Sequence, residues 1–359
     1  MVADNVPRVY ARRETSLVCG GARRFVRRIA QPRHARHLRA AEPTPYGGNM
    51  SDEASKQPLQ DRRAFLATLG GVALAASGIS ALACATNPSP ASGTAVAGGA
   101  DVAAGSGTSL GPIGVQLYTV RDEMQKDVAA TLARVARIGY KEVEFAGYFN
   151  HSPAEIRQML DANGLTAPSS HIPLQMMQAD PAGVAATAKV IGHEYVVVPF
   201  LEPSMRNDWH GLAKTLNDIG REMSQQGLKL GYHNHNFEFA SNGTGSLPYQ
   251  ILVDETDPAL VKLEMDLYWA TMAGQDPLTW FAKEPGRFEL VHVKDSRGAP
   301  DNQMAPVGSG TIDWHRLFAK RAQAGIKHFF VEHDNAADMP GGSFASIEAS
   351  YKYLSAFRV

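Results

Sequence analysis

Cysteine is scarce in this chain, and neither sign of charge dominates. Among 359 residues only Cys19 and Cys84 are cysteines, so neither a disulfide framework nor a cysteine-based metal site is expected in the rest of the chain. Lys and Arg number 35 against 36 Asp and Glu, which leaves a net charge of -1. This balance gives no electrostatic reason to expect nucleic acid or an acidic membrane as a partner.

A comfortable transmembrane segment is also lacking. The apolar run that ends at Leu82 is short and rich in alanine and glycine, and the pair Arg62-Arg63 precedes it. This pattern over residues 50–84 is typical of a twin-arginine signal peptide and predicts export to the periplasm. Cys84 follows "ALA", which suits either signal cleavage or lipidation, so a membrane tether through a lipidated Cys84 is one of two open alternatives.

Two segments of biased composition flank this signal. Residues 1–49 are rich in arginine and show no periodicity, which indicates either a disordered basic arm or an artefact of start-site choice upstream of Met50. Residues 85–110 are rich in Ser, Gly and Ala and predict a flexible linker. A single folded domain is therefore predicted over residues 111–359. The sequence leaves its oligomeric state open.

Apolar strand patterns alternate with amphipathic helix patterns throughout residues 111–359. The eight strand candidates are "IGVQLYT", "KEVEFAG", "LTAPSSH", "EYVVVPF", "LKLGYHN", "VKLEMDL", "FELVHVK" and "KHFFVEH". Eight strands with intervening helices in about 250 residues predict an α/β fold of the (β/α)8 TIM barrel type. A doubly wound open sheet is the alternative, but the first strand lacks the glycine-rich turn that binds dinucleotides in that fold.

Polar residues stand at the carboxyl ends of these apolar runs, where barrels place their chemistry. The strand-end residues are His171, Glu202, His233, Asp266, His292 and Glu332. Carboxylates and imidazoles that converge in a buried place repel or desolvate one another unless a cation neutralises them. The last four strands thus predict one divalent metal ion, and their mixed nitrogen and oxygen ligands suit Mn, Zn, Fe or Co.

An ordered set of motifs carries a family resemblance. "YHNHNFEF", "VKLEMDLYWATMAGQDP", "LVHVKD", "VGSGTIDW" and "FFVEHD" resemble the xylose isomerase-like TIM-barrel superfamily, especially its exported sugar phosphate isomerase/epimerase-type members. The resemblance implies that one metal ion is held by His233, Asp266, His292 and Glu332. Ketose 3-epimerases of this superfamily have glutamate where this chain has His233. The symmetric exchange of a proton between two metal-bound glutamates is therefore doubtful here.

The implied function is that of a sugar isomerase or epimerase that removes a proton next to the carbonyl of a keto-sugar. Glu332 is the first candidate for the base, and Glu238 and His171 are the others. A lyase or hydratase acting on 3-keto-glycosides would use the same enolate chemistry and is an alternative. A non-catalytic sugar-binding lipoprotein is another. A DNA-repair nuclease like endonuclease IV is disfavoured by the neutral charge and the predicted export.

The expected partner is a small-molecule sugar. The sequence shows no arginine cluster or glycine-rich cradle for a phosphate, which favours an unphosphorylated substrate. Inward-facing polar or aromatic residues are the candidates for substrate contact. They are Gln116, Glu144, His235, Lys294 and Trp269.

Overall fold

The computed structural model describes residues 107–241, 243 and 245–359. The predicted basic arm over 1–49, the predicted signal over 50–84 with Cys84, and the predicted linker up to residue 106 lie outside the described residues. Among the helices of the described part, none combines the length and the hydropathy needed to cross a bilayer.

Eight parallel strands close into a barrel, which confirms the predicted fold. Its strands are β1 (Gly114–Gln116), β2 (Glu142–Phe145), β3 (Thr166–His171), β4 (Tyr195–Val198), β5 (Lys229–His233), β6 (Val261–Asp266), β7 (Leu290–Val293) and β10 (His328–Val331). Each strand pairs with its neighbour in chain order, and β10 pairs with both β7 and β1. All eight predicted apolar runs contain one of these strands.

The register of the strands brings functional side chains level with one another. Asp266 on β6 lies opposite His292 on β7, and His292 lies opposite Phe330 on β10. On β5, His233 lies opposite Glu264 of β6. Because side chains of a strand alternate between its two faces, Glu264 and Asp266 point to the same side of β6.

Helices cover the outside of the barrel. They are α1 (Arg121–Met124), α2 (Val128–Ile138), α3 (Pro153–Asn163), α4 (Leu174–Ala179), α5 (Pro181–Ile191), α6 (Trp209–Gln225), α7 (Pro248–Glu255), α8 (Leu267–Met272), α9 (Pro277–Lys283), α10 (Trp314–Phe318), α11 (Arg321–Ala324) and α12 (Gly342–Ala356). Local sequence explains their ends. Ser152 and Glu155 form a capping box at the start of α3, and Gly164 stops that helix in the left-handed conformation.

The amino-terminal end of the barrel is filled by a small apolar cluster and closed by charge. Tyr195, Val197, Leu290 and Phe330 pack together inside it. Below them, Glu289 contacts lysines at residues 229, 262 and 327 within 3.4 Å. The opposite, carboxyl-terminal mouth carries the strand-end polar residues.

A short hairpin follows β7, and the carboxylate of Asp295 hydrogen-bonds the loop that follows it. Strand β8 (Asp295–Ser296) pairs antiparallel with β9 (Met304–Ala305). The Asp295 side chain accepts hydrogen bonds from the backbone N–H groups of Gly308, Gly310 and Ile312 and from Nε1 of Trp314. Asp295 therefore fixes the end of the loop that returns from the barrel mouth to α10.

Candidate metal centre and active site

Four donor side chains from four neighbouring strands meet at the barrel mouth. His233, Asp266 and His292 lie on β5, β6 and β7, and Glu332 directly follows β10. All four are buried, and one donor atom from each lies within 4.8 Å of the others. His292 Nδ1 is 2.6 Å from Glu332 Oε2, and His233 Nε2 is 3.7 Å from Asp266 Oδ2. The structure thus brings together the four residues predicted as metal ligands.

The donor set fits a divalent cation. Two imidazoles and two carboxylates match the ligand preferences of Zn, Mn, Fe or Co. Oδ2 of Asp266 is buried 2.9 Å from the Lys294 ammonium and 3.7 Å from Nε2 of His233. The fit to a cation therefore rests on the chemistry of the four donors. His233 is neutral as a ligand must be, because burial holds its pKa well below the usual range.

Lys294 is the second cationic centre of the mouth. Its ammonium lies 2.8 Å from Glu332 Oε2 and 2.9 Å from both Asp266 Oδ2 and Asp334 Oδ1. Burial alone would lower the pKa of Lys294, but these carboxylates hold it well above its usual range. Lys294 is therefore an ammonium at neutral pH that can donate hydrogen bonds into the site.

The same charges keep Glu332 ionised. Burial would raise the pKa of its carboxyl, but Lys294 and His292 outweigh burial and hold the pKa well below the usual range. In contrast, burial raises the pKa of Asp334 to about 6 against the opposing influence of Lys294. Glu332 is thus a carboxylate at neutral pH and sits beside an ammonium.

A second layer of carboxylates lies deeper in the barrel. Glu264 Oε2 is 2.7 Å from His171 Nε2 and 3.1 Å from His233 Nδ1. Glu144 Oε2 is 2.7 Å from His292 Nε2 and also accepts from Gln116 Nε2 at 2.7 Å. The residues His171, His233, Glu264 and His292 form a second group of possible metal donors that overlaps the first.

The three predicted catalytic residues occupy different surroundings. Glu332 lies in the mouth layer beside Lys294. His171 lies in the deeper layer with its Nε2 bound to Glu264, and its ring stacks on that of His292 at 5.2 Å. Both oxygens of Glu238 are engaged, since Tyr232 donates its hydroxyl to one and His235 its backbone N–H to the other. All three roles stay predictions, and the geometry favours Glu332.

The residues predicted to contact substrate divide between the two layers. Gln116 and Glu144 lie deep and bind each other, while Lys294, His235 and Trp269 lie at the mouth. The rings of His235 and Trp269 are 5.7 Å apart. Nδ1 of His235 and Nε1 of Trp269 have no hydrogen-bond partner among the described residues. These two ring nitrogens are available to hydrogen-bond the hydroxyl groups of a sugar.

The sequence analysis did not identify Glu264 and Asp334 as site residues, and it included Glu202, which lies outside the cluster. Glu264 stands two residues before Asp266, so its presence on the same face followed from the period of a strand. Asp334 follows Glu332 by two residues in the next loop. Glu202 is exposed in the loop after β4 and does not join the cluster.

Comparison with known proteins gives the family. The family model described as xylose isomerase-like TIM barrel matches residues 132–353. The chain belongs to this family. This confirms the resemblance drawn from the motifs at the ends of the last four strands.

Relatives of this xylose isomerase-like protein include enzymes of two kinds. An inosose dehydratase of Bacillus anthracis (strain CDC 684 / NRRL 3495) is 36% identical over 155 residues, which cover 37% of this chain and 50% of the relative. The chain thus spans about half the length of the curated relatives that it matches. A sugar phosphate isomerase/epimerase from Parabacteroides distasonis ATCC 8503 superposes with a TM-score of 0.61 at 26% identity, covering 70% of this chain and 96% of that one.

A more distant solved structure is the IOLI protein with a bound zinc atom. It superposes with a TM-score of 0.52 at 14% identity and covers 67% of this chain and 95% of that one. At this identity the likeness shows the fold alone.

Proposed function

We propose that this protein is a metal-dependent enzyme of the sugar isomerase, epimerase or lyase type that removes a proton next to the carbonyl of a keto-sugar. The observation that carries the proposal is the convergence of His233, Asp266, His292 and Glu332 within 4.8 Å, beside the buried ammonium of Lys294. A binding protein has no need of a base and an ammonium buried side by side.

The four converging residues would hold one divalent cation. Such a cation polarises a carbonyl oxygen and so acidifies the neighbouring C–H group. Glu332 is the proposed base that accepts this proton. Lys294 donates a hydrogen bond to the oxygen that becomes negative, and His235 and Trp269 orient the sugar through their ring nitrogens.

Elimination is the outcome that the arrangement favours after proton removal. The Lys294 ammonium lies 2.8 Å from Glu332, so a proton acceptor and a hydrogen-bond donor stand on the same side of the site. Such a pair suits loss of a β-substituent from a keto-sugar, because Lys294 can hydrogen-bond the departing oxygen while Glu332 passes to it the proton taken from carbon. Epimerisation needs a second proton-transfer group on the opposite face, and the oxygens of Glu238 are both engaged. The likeness to dehydratases supports the same outcome.

Isomerisation or epimerisation is the second candidate. The likeness to a sugar phosphate isomerase/epimerase over 96% of that chain supports it. The proposed substrate class for elimination is a 3-keto-glycoside. The proposed class for isomerisation or epimerisation is a free ketose.

Location remains part of the proposal. We propose export by the twin-arginine route, which rests on the pattern of residues 50–84. Because that route carries folded proteins, the metal would enter before transport. Cell fractionation with N-terminal sequencing of the mature protein tests this, and a mature chain that still begins at or before Met50 would contradict it.

The test of function uses the full chain loaded with Mn²⁺ in D₂O. Free ketoses and 3-keto-glucosides are incubated with it, and carbon-bound hydrogen and aglycone release are followed by NMR. We expect aglycone release from the keto-glucosides, and a loss of at least about 1,000-fold in Glu332→Gln, because the base and a ligand are removed together.

Glu289→Gln is the matched control, since it makes the same change in a buried glutamate at the other end of the barrel. Deuterium incorporation into a ketose without release from any glycoside would favour the isomerase or epimerase instead. Metal binding without exchange or release on either class would contradict the enzyme proposal.

A further inference from the structure

Each imidazole of the candidate metal centre faces two layers of carboxylates. His292 Nδ1 is 2.6 Å from Glu332 in the mouth layer, while its Nε2 is 2.7 Å from Glu144 in the deeper layer. His233 Nε2 faces Asp266 at 3.7 Å, while its Nδ1 is 3.1 Å from Glu264. The two rings therefore turn opposite nitrogens, Nδ1 and Nε2, towards the mouth.

The deeper carboxylates determine which nitrogen can bind a cation. A neutral imidazole carries a proton on one nitrogen and a lone pair on the other. A carboxylate next to one nitrogen holds the proton there and leaves the lone pair on the opposite side. Glu264 thus directs the lone pair of His233 to Nε2, since Asp266 is further from that ring. For His292 a carboxylate faces each nitrogen, so Glu144 directs the lone pair to Nδ1 once Glu332 binds the cation.

We propose that Glu144 and Glu264 are positioning residues that fix these two tautomers, so that one cation binds on the mouth side with Asp266 and Glu332. The overlapping group in which Glu264 and His171 would be ligands is then a supporting layer and not a second ion site. The inference rests on the proposed metal centre but is independent of the substrate.

The supporting layer is itself held in place by hydrogen bonds. Glu144 is fully buried, and Ser169 Oγ donates to its Oε1 at 2.5 Å while Gln116 donates to its Oε2. Glu264 is also fully buried and is held by His171 Nε2 at 2.7 Å. Gln116 and His171 then support the metal ligands from behind and do not touch the substrate.

Geometry argues against an ion in the deeper layer. Oε2 of Glu264 lies 2.7, 3.1 and 3.3 Å from ring nitrogens of His171, His233 and His292, so one carboxylate oxygen already occupies the point where their nitrogens converge. Ions in both layers would also need both nitrogens of His233 and His292 as ligands. Each ring would then have to lose its last N–H proton, which neutral imidazole does not readily give up.

The experiment measures binding of Co²⁺ to the full chain by calorimetry and by the visible absorption of the bound ion. The variants are Asp266→Asn in the mouth layer and Glu144→Gln and Glu264→Gln in the deeper layer. We expect one ion per chain, an altered spectrum in Asp266→Asn, and binding about 10–100-fold weaker with an unchanged spectrum in the two glutamine variants.

Controls separate positioning from general damage. Glu289→Gln alters a buried glutamate at the other end of the barrel, and we expect unchanged Co²⁺ affinity. If a deeper-layer variant does not fold, Ser169→Ala decides the question, because it removes only one hydrogen bond to Glu144. It should weaken binding by a smaller factor in the same direction.

Three results would overturn the inference. They are two ions per wild-type chain, a changed Co²⁺ spectrum in Glu264→Gln with an unchanged one in Asp266→Asn, or full affinity in both the Glu144 and Glu264 variants. Failure of the proposed activity with this binding pattern intact would count against the proposed function alone.

Discussion

Replacing Lys294 by methionine should destabilise the metal-free protein strongly. The ammonium is 1% exposed and lies within 2.9 Å of carboxylate oxygens of Asp266, Glu332 and Asp334. Removing one partner of a buried ionic network leaves charges without compensation and costs about 3–5 kcal/mol. With about 2–4 °C per kcal/mol for a domain of this size, the melting temperature should fall by about 6–20 °C.

A divalent cation should reverse much of this loss. Without Lys294, the bound ion supplies the missing positive charge and no longer meets a neighbouring ammonium, so the variant should gain more stability from Mn²⁺ than the wild type gains. Urea unfolding with and without Mn²⁺ measures both effects. Lys262→Met is the control. Lys262 makes a 3.4 Å ion pair with Glu289 and an exposed hydrogen bond to the carbonyl of Pro258, so its loss should cost about 1 kcal/mol.

A loss in Lys294→Met no larger than in the control would refute the reasoning. It would mean that the mouth carboxylates are protonated, or are stabilised by another charge, in the metal-free protein. Equal stabilisation of wild type and variant by Mn²⁺ would separately contradict the placement of the cation beside Lys294.

Two further predictions concern parts of the fold outside the metal centre. Burial lowers the pKa of His193 to about 4. Between about pH 6.5 and 4, His193 is therefore protonated in the unfolded chain and neutral in the folded chain. Stability should therefore fall by up to about 3 kcal/mol as the pH drops through this range, and urea unfolding of His193→Gln should show a shallower fall, whereas an unchanged slope would contradict this. Asp295→Ala leaves Gly308, Gly310 and Trp314 without their shared acceptor and should cost about 3 kcal/mol. Limited proteolysis should then cut faster within 297–313, and unchanged cleavage would show that the loop is held by other contacts.

The fold was predictable because its strands are continuous apolar runs between amphipathic helices. Buried parallel strands have little polar interruption, so residues such as His292 stood out at the ends. The same expectation hides Glu264, because it predicts an apolar middle for β6. Its place on the functional face required the period of the strand, with Asp266 two residues further on.

The direction of individual side chains and the contacts between distant segments could not be predicted from the sequence. Glu238 stands close to His233 in the chain, but the turn at Phe237–Phe239 directs its carboxyl to the hydroxyl of Tyr232. Asp334 and Lys294 meet only because β7 and β10 are neighbours in the closed barrel. The sequence predicted which polar residues stand at the ends of strands. The closure of the sheet decided which of them face one another.

The anchoring role of Asp295 makes the hairpin tip at 297–303 an exchangeable module. Its two ends are fixed, one by the pairing of β8 with β9 and the other by the carboxylate that holds Gly308 and Gly310. Residues of the tip can therefore change in number or chemistry without moving His292 or Lys294.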